Sequence, residues 1–146
     1  MLIAVVCLAL ILPGAFFVYK GWYVPFAHER EKQAVLKAAR EFLDAEVRRD
    51  YPAVYNCFAS SSNYARSHTY NEYLAQAKNS PDRVTDYRII AVSYIQDNED
   101  IDRFPLVEKF AQVEVEVTFL NQDTKSYSDI NIGFVFMKEK GSWYKS

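Results

Sequence analysis

Residue periodicity places this chain in the α+β class, behind an N-terminal membrane-spanning helix. Three patterns carry the assignment. Met1 to Tyr19 holds no charged residue. From Glu29 the apolar residues recur at spacings of three and four, as on one face of a helix. From Ala111 they alternate with polar ones, as on a strand with one wet face. Helices first and an antiparallel meander afterwards give a long helix packed on a curved antiparallel sheet. The 146 residues suit one globular domain over 27–146, behind an anchor over 1–26.

In chain order, the apolar run ends at Lys20, and its helical length comes close to the roughly 30 Å hydrocarbon core of a bilayer. Pro13 and Gly14 interrupt it, which membrane helices tolerate. Trp22, Tyr23 and Phe26 follow as an interfacial aromatic belt. A cleaved secretory signal is the rival, but no Lys or Arg precedes the run and no clear A-x-A site follows. Glu29 to Arg49 reads as a helix whose stripe is Val35, Ala38, Ala39, Phe42, Ala45 and Glu46, with Glu46 its one interloper. Asp50 caps and Pro52 starts a short second helix, Tyr51 to about Ala59, turning Val54, Tyr55 and Phe58 inward. Ser60 to Asn63 reads as a loop. Thr69 and Glu72 have capping-box spacing, so a third helix runs from Tyr70 to Lys78, and Ser80-Pro81-Asp82 ends it.

The rest is strand. Val84 to Gln96 is β-rich, with a break at Ile89-Ile90 that signals a bulge. Ala111 to Phe119 and Ile130 to Phe136 alternate cleanly. Lys138 to Gly141 turns into a final short strand, Ser142 to Lys145.

Composition excludes several classes. With 17 basic and 19 acidic residues, the formal charge of −2 gives no general electrostatic reason to bind nucleic acid. Four glycines and no Gly-rich loop leave no phosphate cradle, and no G-x-S-x-G, H-E-x-x-H or C-x-x-C occurs. No catalytic residue, metal site or cofactor is expected. His28 and His68 read as exposed helix-start residues, and Asp97, Glu99, Asp100 and Asp102 as a solvated hairpin tip. Cys57, among inward-facing neighbours and with no base nearby, reads as a core residue. The basic residues Lys20, Arg30, Lys32, Lys37 and Arg40 all follow the apolar run, which by the positive-inside rule puts the globular part in the cytoplasm.

Arg49-Asp50-Tyr51-Pro52-Ala53-Val54-Tyr55 after the opening helix, the long strands after a third helix, and the ending Phe134-Val135-Phe136-Met137-Lys138-Glu139-Lys140-Gly141-Ser142-Trp143-Tyr144-Lys145 resemble the nuclear transport factor 2-like superfamily. The likeness covers roughly residues 28–146 and is strongest to membrane-tethered, extracytoplasmic members, including the small domain at the N-terminus of some penicillin-binding transpeptidases. It implies a cone-shaped α+β fold, an extracytoplasmic domain on a single-pass anchor, and a pocket or a scaffolding face. Transpeptidase activity does not carry over, and the acids and bases of enzymatic members have no motif here to map onto.

Two sets of residues are candidates for contact. Tyr64, Tyr70 and Tyr73, with Asp86 and Tyr87, could line a polar-tipped pocket, although core and interface packing is the commoner role of tyrosine. Arg103, Phe104 and Leu106 lie in a long loop over 97–109 that suits a partner. The expected function is a non-catalytic binding or assembly module that contacts another membrane or envelope protein, with homodimerisation through the sheet. The alternatives are a small-ligand pocket, isomerase- or dehydratase-like if catalytic, and an accessory subunit whose membrane helix is the functional part. A pocket requires a cavity holding an acid or base of perturbed pKa, and fails if Phe42, Phe58, Phe119 and Phe134 fill the interior.

Overall fold

The computed structural model describes residues 24–146. Residues 1–23, with Trp22, Tyr23 and nearly all of the expected anchor, lie outside the described residues; Phe26 falls in the first turn of a helix. No helix among the described residues is long and apolar enough to cross a membrane. The chain divides after Gln33. Before that point the described part is helix, with Gln33 Nε2 donating to Glu29 Oε1 at 2.8 Å. From Ala34 the chain is a helix-covered sheet, α+β as expected.

Helix α1 spans Val24–Arg48. It starts earlier than the expected Glu29 because Pro25 fits a first helical turn. Its buried side chains are Val35, Ala39, Phe42, Leu43 and Ala45. Its end is a Schellman closure: Arg49 N–H donates to Glu46 O at 3.0 Å and Asp50 N–H to Ala45 O at 2.9 Å. Asp50 then accepts from Ala53 N–H and starts α2, Tyr51–Asn56. Ser62, inside the expected Ser60–Asn63 loop, caps a short helix α3, Asn63–Ser67, over a stretch left unassigned from sequence beyond Asn63. A serine run reads as loop by composition, yet one of its hydroxyls is the acceptor that a new helix start needs. Helix α4, Tyr70–Asn79, opens with the expected Thr69–Glu72 capping box.

Four strands, β1 Asp82–Asp97, β2 Val107–Asn121, β3 Tyr127–Glu139 and β4 Ser142–Lys145, form one antiparallel sheet in chain order. The expected bulge lies between Ile89 and Ala91, and further register shifts fall at Val84/Asp86 and Val92/Tyr94. Three irregularities in one edge strand increase its twist and bend it around the helices. Central β2 turns Ala111, Val113, Val115 and Val117 onto the helical layer, all fully buried. Lys140 and Gly141, both at positive φ, make the two-residue turn from β3 into β4. After α2 the chain docks beside β4, with Ala59 N–H donating to Lys145 O and Lys145 N–H to Cys57 O, each at 2.7 Å.

The expected inward alternation of β3 fails at one residue. Ile130 pairs with Val117 and shares its face, yet is 49% exposed. The helical layer does not cover that end of the sheet.

Candidate ligand-binding cavity

At the uncovered end, between the C-terminal turns of α1, helix α4 and the inner face of β1–β3, lies a cavity of about 490 Å³. Its apolar wall is Phe42 and Leu43 from α1, Val84 from β1, Val117 and Phe119 from β2, and Ile132 and Phe134 from β3. Phe42 meets Phe134 edge-on at 5.7 Å and Phe58 at 6.1 Å. Phe42, Phe119 and Phe134 thus stand around the space, and Phe58 packs behind Phe42. The condition that would have excluded a pocket is not met.

The helical segments supply the opposite wall. Tyr73 and Ala77 lie one turn apart on α4, with Gln76 between them. Tyr64 on α3 reaches Gln76, its hydroxyl donating to Oε1 at 3.0 Å. The Tyr64 ring is itself fixed between Phe58 at 4.9 Å and His68 at 4.3 Å, stacked on both. Tyr51, on the first turn of α2, completes this side.

Few charges face the space. Glu46 sits one turn beyond Phe42 on the stripe of α1. Burial raises its carboxyl above the ordinary carboxylate range, and among the described residues nothing forms an ion pair or hydrogen bond with it. Its charge is felt across the cavity. Burial and then Glu46 hold the Tyr73 hydroxyl well above the usual tyrosine value; for Tyr64 the causes are burial, Tyr55 and Glu46.

Arg49 also lines the cavity, at φ 58, a left-handed backbone that costs a non-glycine residue on the order of 1 kcal/mol. Glycine is the usual choice at that position of a helix end. The arginine there donates through Nε to the Tyr51 hydroxyl at 2.9 Å, with its guanidinium 5.7 Å from the Tyr51 ring centre. Asp82 and Arg83 come from the start of β1, and Asp82 accepts from Asn121 Nδ2 at 2.8 Å. A cavity of this size, apolar over most of its wall and with a few convergent polar groups, suits a small organic molecule.

Of the residues expected to bind a ligand, Tyr64 and Tyr73 line the cavity, and Tyr73 is only 6% exposed. Tyr70 packs behind them, 5.4 Å from Tyr55 and 6.4 Å from Tyr73. Asp86 and Tyr87 lie elsewhere on β1. Asp86 accepts from the Tyr87 N–H at 2.8 Å, and the Tyr87 hydroxyl donates to Asp44 Oδ1 at 2.7 Å. Sequence reasoning passed over Glu46, Arg49 and Arg83 as contacts. Glu46 had a visible signal, since a carboxyl in an apolar helical stripe needs a reason to be there.

The Arg103–Leu106 loop lies at the other end of the β1–β2 hairpin. Its centre is Asn98, whose Nδ2 donates to Phe104 O and Val107 O at 2.9 Å and whose Oδ1 accepts from Asp100 N–H. Phe104 is drawn in against Phe110 at 5.5 Å, with Arg103 over its ring at 5.1 Å. Ile101 and Leu106 remain 64% and 58% exposed. The acidic tip makes an ion pair, Asp97 with Lys109 at 3.2 Å. Among the described residues no three His, Cys, Asp or Glu side chains converge as metal ligands. Cys57 is half-buried, its thiol pushed up by burial, then by Glu41 and Glu46.

No protein-family model matches the chain, and no curated protein matches it. Among solved structures, it is similar to a protein of unknown function with a cystatin-like fold from Nostoc punctiforme PCC 73102. The two share 17% identity over 78% of this chain and 84% of that one, with a TM-score of 0.49.

Proposed function

We propose that this chain is a membrane-anchored, nuclear transport factor 2-like domain that binds a small, largely apolar organic ligand in the cavity between α1, α4 and the sheet. The observation that carries the reading is the cavity itself, about 490 Å³ with seven apolar side chains on its wall and, unpaired among the described residues, the carboxyl of Glu46. A folded chain closes such a space unless something holds it open, because unfilled volume lowers stability. Here Phe42 from α1 and Phe134 from β3 meet edge-on at its wall. The test is saturation-transfer NMR of an aromatic fragment set against the full chain in lipid nanodiscs, beside an Ala77→Trp variant that fills the space. Fragments that saturate on the native chain and not on the variant support the proposal. Absence of binding, or equal binding to both, overturns it.

A second reading, an assembly module for another membrane or envelope protein, is favoured by Ile101 and Leu106, which stand out on an otherwise fixed loop. Anchoring raises the effective concentration of membrane partners, so a small contact suffices. An Ile101→Lys, Leu106→Lys double variant should lose stoichiometric neighbours from the native membrane. Their retention would remove this face from consideration.

A further inference from the structure

We infer that the ligand of this cavity is an organic cation, a quaternary or alkylated ammonium carried on an apolar group. The inference rests on the cavity reading and adds the charge of its occupant. Glu46 presents a carboxylate on an apolar stripe, and among the described residues no cation pairs with it. An ionised carboxylate in such surroundings is costly until a positive charge comes to it.

The surrounding groups select the kind of cation. Tyr51, Tyr64 and Tyr73 share the cavity with Glu46, and the hydroxyls of Tyr64 and Tyr73 are held above the usual tyrosine value, so these rings add aromatic surface and no competing charge. Tyr51 already receives a cation over its ring, from Arg49. A carboxylate in a wall of apolar and aromatic side chains recognises an alkylated ammonium better than a bare one, because methyl groups spread the charge, pack against that wall and remove the need for several hydrogen bonds. The two arginines do not replace the missing partner. Arg49 is turned to Tyr51, and no guanidinium draws the Glu46 carboxyl back toward its ordinary range. Arg83 is exposed, the second residue of β1, next to Asp82.

The test uses three probes on the full chain in nanodiscs of zwitterionic lipid: benzyltrimethylammonium, its neutral isostere neopentylbenzene, and phenylacetate. Their dissociation constants are measured by ligand-detected NMR on the native chain and on Glu46→Gln. Benzyltrimethylammonium should bind the native chain roughly 10- to 100-fold more tightly than neopentylbenzene, the range of a charge-assisted contact. Glu46→Gln should erase that preference while still binding neopentylbenzene, which shows that the cavity is intact. Equal binding of the first two probes, a preference for phenylacetate, or a cation preference that survives Glu46→Gln overturns the inference and leaves the pocket standing. Failure of all three probes to bind overturns both.

Discussion

Replacing Ala77 by leucine separates a true cavity from a packed core by the sign of its effect on stability. Ala77 lies on α4, half-buried, and lines the cavity beside Tyr73. In a close-packed interior, added side-chain volume costs about 1–3 kcal/mol. Here it meets about 490 Å³ of free space. Three more carbons buried at about 0.8 kcal/mol each contribute about 2.4 kcal/mol, and lost rotamer freedom takes back about 0.5–1. Leucine is nearly as good a helix former as alanine, so the helix itself costs little. The expected net effect is therefore a stabilisation of about 1.5 kcal/mol. Urea unfolding of both proteins, followed by tyrosine and tryptophan fluorescence at constant pH, reads it directly as a shift in midpoint at unchanged slope. A loss of 1 kcal/mol or more would show that side chains already occupy the space, and the ligand argument would fall with it.

Two further predictions concern groups away from the cavity. Glu139, buried at the end of β3, accepts from Ser60 Oγ at 2.7 Å and Ser61 N–H at 3.0 Å, so it ties the segment after α2 to the sheet. Burial raises its carboxyl, but the bonds from Ser60 and Ser61 outweigh that and leave it below the ordinary range. Its contribution is thus present above about pH 4.5 and lost as pH falls through the lower folded value. Glu139→Gln should cost about 1.5–3 kcal/mol at pH 7 and less below pH 4; a pH-independent difference would refute the charge argument. Lys145, on β4 with its ammonium 5.7 Å from the Phe134 ring centre, is lowered by burial from 10.5 to about 8. Its ionised form is the disfavoured one, so stability is fully present above 10.5 and lost as pH falls through 8. The native chain should gain about 2–3 kcal/mol on Lys145→Met between pH 7 and 10.5, and parallel pH profiles would contradict this.

Local rules explain which parts of the fold were legible in the sequence. The Thr69–Glu72 box and the Ile89-Ile90 break are signals written in neighbouring residues, and both stand where expected. Helix α3 was missed because its cap sits inside a serine run, where only the path of the later chain decides which hydroxyl meets an amide. The tyrosines divided for a similar reason. Tyr64, Tyr70 and Tyr73 are close in sequence, but whether a ring faces a cavity or another ring depends on what comes opposite. Tyr64 and Tyr73 border the cavity; Tyr70 packs against Tyr55.

The cavity follows from a mismatch of lengths that the sequence does contain. Strands β1 and β2 have 16 and 15 residues, about 50 Å each at roughly 3.3 Å per residue. Residues 34–48 of α1 rise only about 22 Å, and the 10 residues of α4 about 15 Å. Inward-facing apolar residues run along β2 from Ala111 to Phe119, whereas Val107, beyond a register shift, packs with Phe110 and Met137 on the other face. Helices so much shorter than the strands cannot cover that whole face, so one end must be closed by something else. At the Asn98 end no such gap arises, because the inward-facing row stops at Ala111 and the chain beyond it packs Phe104, Phe110 and Val107 with Met137 in a second cluster. At the other end the turn from β2 to β3 is short and polar, Gln122 to Ser126, and brings no apolar side chain back. Phe119, Ile132 and Phe134 are left facing a space bounded by Glu46 and three tyrosine rings. The end that lacks an internal cover is the one where a carboxyl breaks the apolar stripe of α1, and a ligand that supplies both apolar surface and positive charge would complete it.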